Sequence, residues 1–272
     1  LYRGRALSEQ TQAICQADAT FRAGDTTWLL GHAMSPLGDL DGDGCDELAV
    51  GAPGSMSGTI DPAIPWDGRV FILYGFGPNC ASSSARVSPL HVPFPMSGFG
   101  AALDGSADID GDGHQDLLVG APTFLIGSFR YGAAMVVNSA QLSEIVPSEV
   151  NGEILAEPAD PVTLPLTFSS PNVLVSPVAG TNDINPVFTV PTNGPYGDIP
   201  LFGHQVSYIH GIGDHDVGIA IGIPNYRTSP THDSGHVRTY AWSDAMNANG
   251  KHLGLHGIFV GQTWKPGSRL GR

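Results

Sequence analysis

Two stretches of the chain share one order of apolar and polar positions. Residues 30–53 read LGHAMSPLGDLDGDGCDELAVGAP, and residues 99–122 read FGAALDGSADIDGDGHQDLLVGAP. In each, an apolar residue and a glycine lead into a short mixed segment, then an acidic, glycine-rich stretch, then a continuous apolar run closed by Gly-Ala-Pro. Every feature keeps register over the same length, so the chain carries an internal repeat. A third, eroded copy, FGHQVSYIHGIGDHDVGIAIGIP, occupies 202–224 and is one residue shorter; a fourth begins at Leu270-Gly271. A second segment follows each copy: Gly68-Arg69-Val70-Phe71-Ile72-Leu73-Tyr74-Gly75, then Gly132-Ala133-Ala134-Met135-Val136-Val137, then Gly235-His236-Val237-Arg238-Thr239-Tyr240. Asp-Gly-Asp-Gly before the apolar runs and Gly-Ala-Pro after them leave room for strands and not for helices. The pattern predicts four short strands per unit: after the opening pair, at the DELAVGAP or DLLVGAP run, at the GxVxxxY segment, and before the next opening pair. Helix content is expected to be minimal. Such units at such a period fit the blades of an all-β propeller.

Composition agrees. With 36 Gly and 22 Pro in 272 residues and only 14% charged residues, the chain suits short strands joined by turns. No apolar run reaches the roughly 18 residues of a membrane span. The formal net charge of −14 and the lack of a basic patch argue against nucleic acid as a partner. The acidic groups are concentrated in two nine-residue windows, 39–47 and 108–116, which points to metal sites more than to a generally acidic surface. Cys15, Cys45 and Cys80 form no CxxC or zinc pattern; one disulfide plus a free thiol and three free thiols are both open.

The two windows carry the chemistry. Calcium takes several hard oxygen ligands from a backbone able to curl around the ion. Asp39, Asp41 and Asp43 offer carboxylates at alternating positions, Cys45 falls where a backbone carbonyl would bind, and Glu47 closes the set. The second window repeats this with Asp108, Asp110, Asp112, the His114 carbonyl and Asp116. Gly42, Gly44, Gly111 and Gly113 permit a tight, partly left-handed path. An EF-hand opens the same way but needs a glutamate at position twelve; Val50 and Val119 stand there, and no helix pattern flanks either loop. A lone DxDGDG would read as a solvated acidic turn, but two in register, each leading into the same strand, do not. The third copy keeps only Asp214 and Asp216 near that place and is expected to hold no ion, so two calcium sites are expected. His210, Asp214, His215 and Asp216 form a weaker transition-metal alternative. His232 and His236, like His252 and His256, read as scattered surface or loop histidines.

These segments resemble FG-GAP repeats, the units of the integrin α-chain propeller and of many exported bacterial propeller proteins. The resemblance implies a seven-bladed propeller in which the loop inside a blade holds calcium through the carboxylates named above. About three repeats are too few to close such a ring, so the chain is expected to be a piece cut from a longer one. The expected division is 1–16 as the tail of a preceding blade, 17–88 as a blade with calcium loop 39–47, 89–194 as a blade with loop 108–116, 195–259 as a degenerate blade, and 260–272 as the start of the next. A Pro-rich insert at about 138–198 is expected to be a surface excursion.

The implied function is a non-catalytic adhesion or binding module, exported to the cell surface or extracellular space, that presents its loops to a protein or glycan. The alternative is the propeller portion of a larger secreted hydrolase or phospholipase whose catalytic domain lies elsewhere. No GxSxG, HExxH, P-loop or GxGxxG context is present.

Overall fold

The computed structural model describes residues 20–24, 28–54, 68–76, 80, 86–90, 98–109, 111–126, 129–130, 132–137, 139, 142, 148–149, 154–155, 173–175, 201–211, 217–225, 227–229, 232–233, 235–243 and 252–260. Three antiparallel sheets dominate. The first contains β1 (Met34–Gly38), β2 (Asp46–Ala52), β3 (Arg69–Phe76) and β4 (Arg86–Leu90), hydrogen-bonded in chain order. The second contains β5 (Ala102–Ala107), β6 (Asp116–Ala121), β7 (Ala133–Val137) and β8 (Val173–Val175), and the third β9 (Gln205–His210), β10 (Val217–Ile223), β11 (His236–Ser243) and β12 (His252–Val260). In each, these four strands form a meander, the form of a propeller blade. Among the described residues, Ser139 and Leu142 are helical.

The apolar runs of the first two sheets are continuous because both of their faces are covered. On the middle sheet, Leu117, Val119, Ala121, Ala133, Met135 and Val137 point to a core shared with the first sheet, which contributes Leu37, Ala49, Val70, Ile72 and Leu90. The alternate positions Leu118, Ala134 and Val136 point the other way, to a core shared with Val206, Tyr208, Ile219 and Ile221 of the third sheet. Period-two alternation thus assigns successive residues of one strand to two different cores. The far face of the first sheet buries Val50, Phe71 and Leu73 with Trp28, whose ring stacks on Phe71 at 5.8 Å and lies beneath the Arg69 guanidinium at 4.0 Å.

The repeated glycines mark where backbones meet. Leu29 O, Gly98 O and Leu201 O each accept a hydrogen bond from the amide three residues on, closing a turn whose third residue is Gly31, Gly100 or Gly203 with φ between 83° and 90°. The residue that begins each turn also has positive φ, as Leu29, Gly98 and Leu201. Phe99 and Phe202, the aromatic residues of these turns, are fully buried and bridge in parallel to Gly68 and Gly132 of the preceding sheet. A Cβ on Gly51 would lie 2.0 Å from Gly100 O, and one on Gly120 would lie 2.1 Å from Gly203 O. The opening pair of each repeat therefore nests on the closing Gly-Ala-Pro of the blade before it.

The insert contributes strands to the sheets around it. Its Val173–Val175 supplies the outermost strand of the second sheet, Ser148–Glu149 adds a fifth strand to the edge of the first beside β4, and Ile154–Leu155 pairs in parallel with Arg22–Ala23. The Pro-rich composition hid these short pairings. His236 is also not a surface histidine: it is buried, on a different strand from His232.

Two outcomes are expected. Gly51→Ala and Gly120→Ala each push a methyl group into a carbonyl that has no side-chain freedom, and each should cost roughly 3 kcal/mol or more in urea unfolding; a loss below about 1 kcal/mol would show that the blades tolerate separation. Burial, aided by the Arg238 charge, lowers the His236 pKa to about 4. Between that value and 6.5 the unfolded chain binds the extra proton, so the contribution is complete above pH 6.5 and is lost on acidification. His236→Gln should remove roughly 1–2 kcal/mol of the stability difference between pH 7 and pH 5, and identical pH slopes in both proteins would refute it.

Candidate metal centre

The acidic windows form the connections from β1 to β2 and from β5 to β6. Gly42, Gly44, Gly111 and Gly113 have φ of 75°, 84°, 82° and 95°, and an added Cβ at any of them would meet nothing within 4 Å. Backbone handedness, not space, requires glycine there.

In the first loop, Asp39 Oδ2 accepts from the Gly44 amide at 3.0 Å, Asp41 Oδ1 from the Asp43 amide at 3.3 Å, and Asp43 Oδ1 from the Cys45 amide at 2.9 Å. Each aspartate thereby spends one oxygen on the backbone and keeps the other. The three carboxylates converge, with one oxygen from each within 4.8 Å of the others. Asp39 Oδ1 is buried without a hydrogen-bond donor. Glu47 lies beneath the loop and accepts the Leu40 amide through Oε2 at 2.6 Å. Burial pushes its carboxyl up to about 7 against the pull of the Leu40 and Gly75 amides, and the Asp41 and Asp43 charges push the same way as burial.

The second loop repeats three of these contacts, those of its first and third aspartates and of its last acid, and adds others. Asp108 accepts the Gly111, Asp112 and Gly113 amides at 2.6, 3.2 and 2.7 Å, Asp112 Oδ1 accepts the His114 amide at 2.8 Å, and Asp116 Oδ2 accepts the Ile109 amide at 2.8 Å. Asp116 is fully buried, and its Oδ1 takes the Ser139 amide at 2.9 Å. The Ser139 hydroxyl donates to Asp112 Oδ2 at 2.7 Å and, with the His114 amide, holds the Asp112 carboxyl below its usual range. Asp110 lies outside the described residues, as do Asp214, His215 and Asp216 of the eroded loop; His210 is exposed at the end of β9.

Three participants escaped the sequence reading. Arg86 of β4 places Nη2 2.9 Å from Asp41 Oδ2 and 2.8 Å from Asp43 Oδ2. Ser139 stands beside Asp112. Cys45 is joined to Cys80 in a disulfide, which decides between the pairings left open; Cys15 lies outside the described residues. No spacing rule connects residues 45 or 35 positions apart, whereas the loop aspartates announce themselves by alternation.

The donor set fits a hard divalent cation. It is all oxygen, it brings three carboxylates together, and it leaves the buried Asp39 Oδ1 unsatisfied, which is costly unless a positive charge meets it.

A family model described as FG-GAP repeat matches residues 31–73 and 99–136. Integrin alpha-IIb of Mus musculus is 41% identical over 108 residues, covering 39% of this chain and 9% of that protein. Integrin alpha-IIb of Homo sapiens is 43% identical over 93 residues, 34% of this chain and 8% of that protein. Integrin alpha-M of Mus musculus is 34% identical over 128 residues, 46% of this chain and 10% of that protein. The chain therefore spans about a tenth of the length of these relatives. It carries FG-GAP repeats similar to those of integrin alpha chains, and its four-stranded sheets are propeller blades of that kind.

The disulfide closes a chain segment with a sequence separation of 35. Cys45→Ser with Cys80→Ser should lower stability by about 3–4 kcal/mol, read as a shift of the urea midpoint; an unchanged midpoint would show that the loop is held without it.

Proposed function

We propose that the chain is a non-catalytic propeller module whose blades are fastened by calcium and whose loops present a surface for adhesion to a protein or glycan outside the cell. The observation that carries this is the convergence of Asp39, Asp41 and Asp43 around buried, unsatisfied oxygen, in a loop repeated in register one blade later. Asp39, Asp41, Asp43, the Cys45 carbonyl and Glu47 would hold one ion, and Asp108, Asp110, Asp112, the His114 carbonyl and Asp116 a second. Bound calcium supplies positive charge to carboxylates that otherwise repel one another. The role is structural: each loop joins the two strands on the β1 or β5 side of its blade, so fixing it fixes their register. With a dissociation constant of ~10⁻⁵ M and ~1 mM ion, each site would add roughly 2.7 kcal/mol to folding.

Similarity to integrin alpha chains supports the adhesion reading, and broad rigid faces are what stacked blades offer a partner. Nothing described favours the alternative of a hydrolase-linked propeller over this one.

Elemental analysis of the purified chain after dialysis against calcium should give two ions per chain, falling to one in Asp41→Asn or Asp112→Asn and none in the double variant. Chelation should lower the melting temperature; a melting temperature indifferent to chelator would sink the calcium role. Immobilised chain should capture cells or glycans in calcium and release them in chelator, and capture unaffected by chelator would separate adhesion from the metal.

A further inference from the structure

Cys45 belongs to the first acidic loop, and its bond to Cys80 reaches the connection between β3 and β4. Asp41, Asp43 and Gly44 are exposed and Cys45 is half-buried, whereas Cys80 is buried. The bond therefore ties an exposed loop to a buried anchor. The Gly44–Cys45 peptide is engaged on both edges: its N–H donates to Asp43 Oδ1 at 2.9 Å, and its oxygen lies 4.0 Å from Cys80 Sγ. One residue earlier, the Gly44 amide donates to Asp39 Oδ2 at 3.0 Å. Two of the three converging aspartates are thus set by amides at the disulfide or directly before it. Hydrogen bonds among such exposed groups are traded for water at little cost. A covalent link is not.

Resting on the calcium reading given above, we propose that the Cys45–Cys80 disulfide is the positioning clamp of the first metal site, and that metal and disulfide protect one another. The bond fixes the last turn of the loop before an ion arrives, so the ordering that would otherwise oppose binding is already complete. Cys80 acts here as a positioning residue, through Cys45 and the two amides beside it. Reciprocity follows: by whatever factor the disulfide tightens calcium, bound calcium shifts the thiol–disulfide equilibrium toward the disulfide. In the reduction that it opposes, an external dithiol gives up two electrons and two protons. The Sγ–Sγ bond breaks, each sulfur becomes a thiol, and the reductant closes its own disulfide. His114 stands in the second loop where Cys45 stands in the first, which makes the second site an internal control.

The test has two arms, each with calcium as the probe. In the first, the calcium-free chain carrying Asp112→Asn is titrated calorimetrically, so that the first site reports. Adding Cys45→Ala with Cys80→Ala should weaken that site about tenfold. The same pair of substitutions in an Asp43→Asn chain should leave the second site's affinity unchanged. In the other arm, wild type is equilibrated with mixtures of reduced and oxidised dithiothreitol, and its thiols are alkylated and counted by mass. Calcium should shift the midpoint about tenfold toward the disulfide, and Asp43→Asn should abolish the shift. A bond that merely braced the blade would lower the melting temperature when removed and produce neither result. Unchanged first-site affinity without the cysteine pair, or a midpoint indifferent to calcium, would overturn the proposal. So would a shift that persists in Asp43→Asn, since it would then run through overall stability. Should the chain lacking both cysteines not fold, the redox arm decides by itself. Absence of any calcium uptake by wild type would instead overturn the calcium reading.

Discussion

At one glycine pair per interface, neighbouring blades meet backbone to backbone with no side chain between. The carbonyl of Gly100 lies where a methyl on Gly51 would be, and the carbonyl of Gly203 where a methyl on Gly120 would be. This close approach sets the distance between sheets, and the cores fill what remains. Phe99 and Phe202 can be fully buried only because the glycine beside each lets the turn settle against the previous sheet. The motif's two halves, widely separated in sequence within a repeat, are thus the two sides of one contact between consecutive repeats. Nearest-neighbour stacking of this kind makes the array's stability a sum of blade terms and interface terms.

Electrostatics adds a second constraint, since three carboxylates on one tight loop oppose folding unless a positive charge meets them. The described residues show two solutions. Backbone amides neutralise part of the charge in both loops, and Arg86 adds a guanidinium in the first. Side chains also cross between blades: Asp104 Oδ2 accepts the Tyr208 amide at 2.8 Å and the Ser207 hydroxyl at 3.0 Å, and the Ser35 hydroxyl accepts the Gly105 amide at 2.8 Å. Strands β1, β5 and β9 are therefore connected by polar groups that sequence pattern alone would assign to solvent.

What could be read beforehand follows the range of each interaction. Strand identity, blade count in the described part and the loop glycines were legible because they depend on residues a few positions apart. Positive φ at Gly42, Gly44, Gly111 and Gly113 follows from local handedness. The positive φ of Leu29 and Leu201 was not legible, because only Gly98 at the same register hinted at it. Nor were the Cys45–Cys80 pairing, Arg86, Ser139 or the burial of His236, all of which arise when the chain returns from far away. The strands within the insert were not legible for the same reason: they are two or three residues long and take their register from sheets already present.

Those short strands have a consequence for biogenesis. Ser148–Glu149, which follows the second blade's β7, completes the outer edge of the first blade, and Ile154–Leu155 pairs back to Arg22–Ala23. During synthesis the first blade emerges with a row of unpaired amides and carbonyls along β4, and these stay exposed until more than fifty further residues have left the ribosome. An open edge of that sort is a template for wrong partners. The insert thus ties maturation of one blade to arrival of the next, making the pair, rather than the single blade, the unit that a nascent chain must protect.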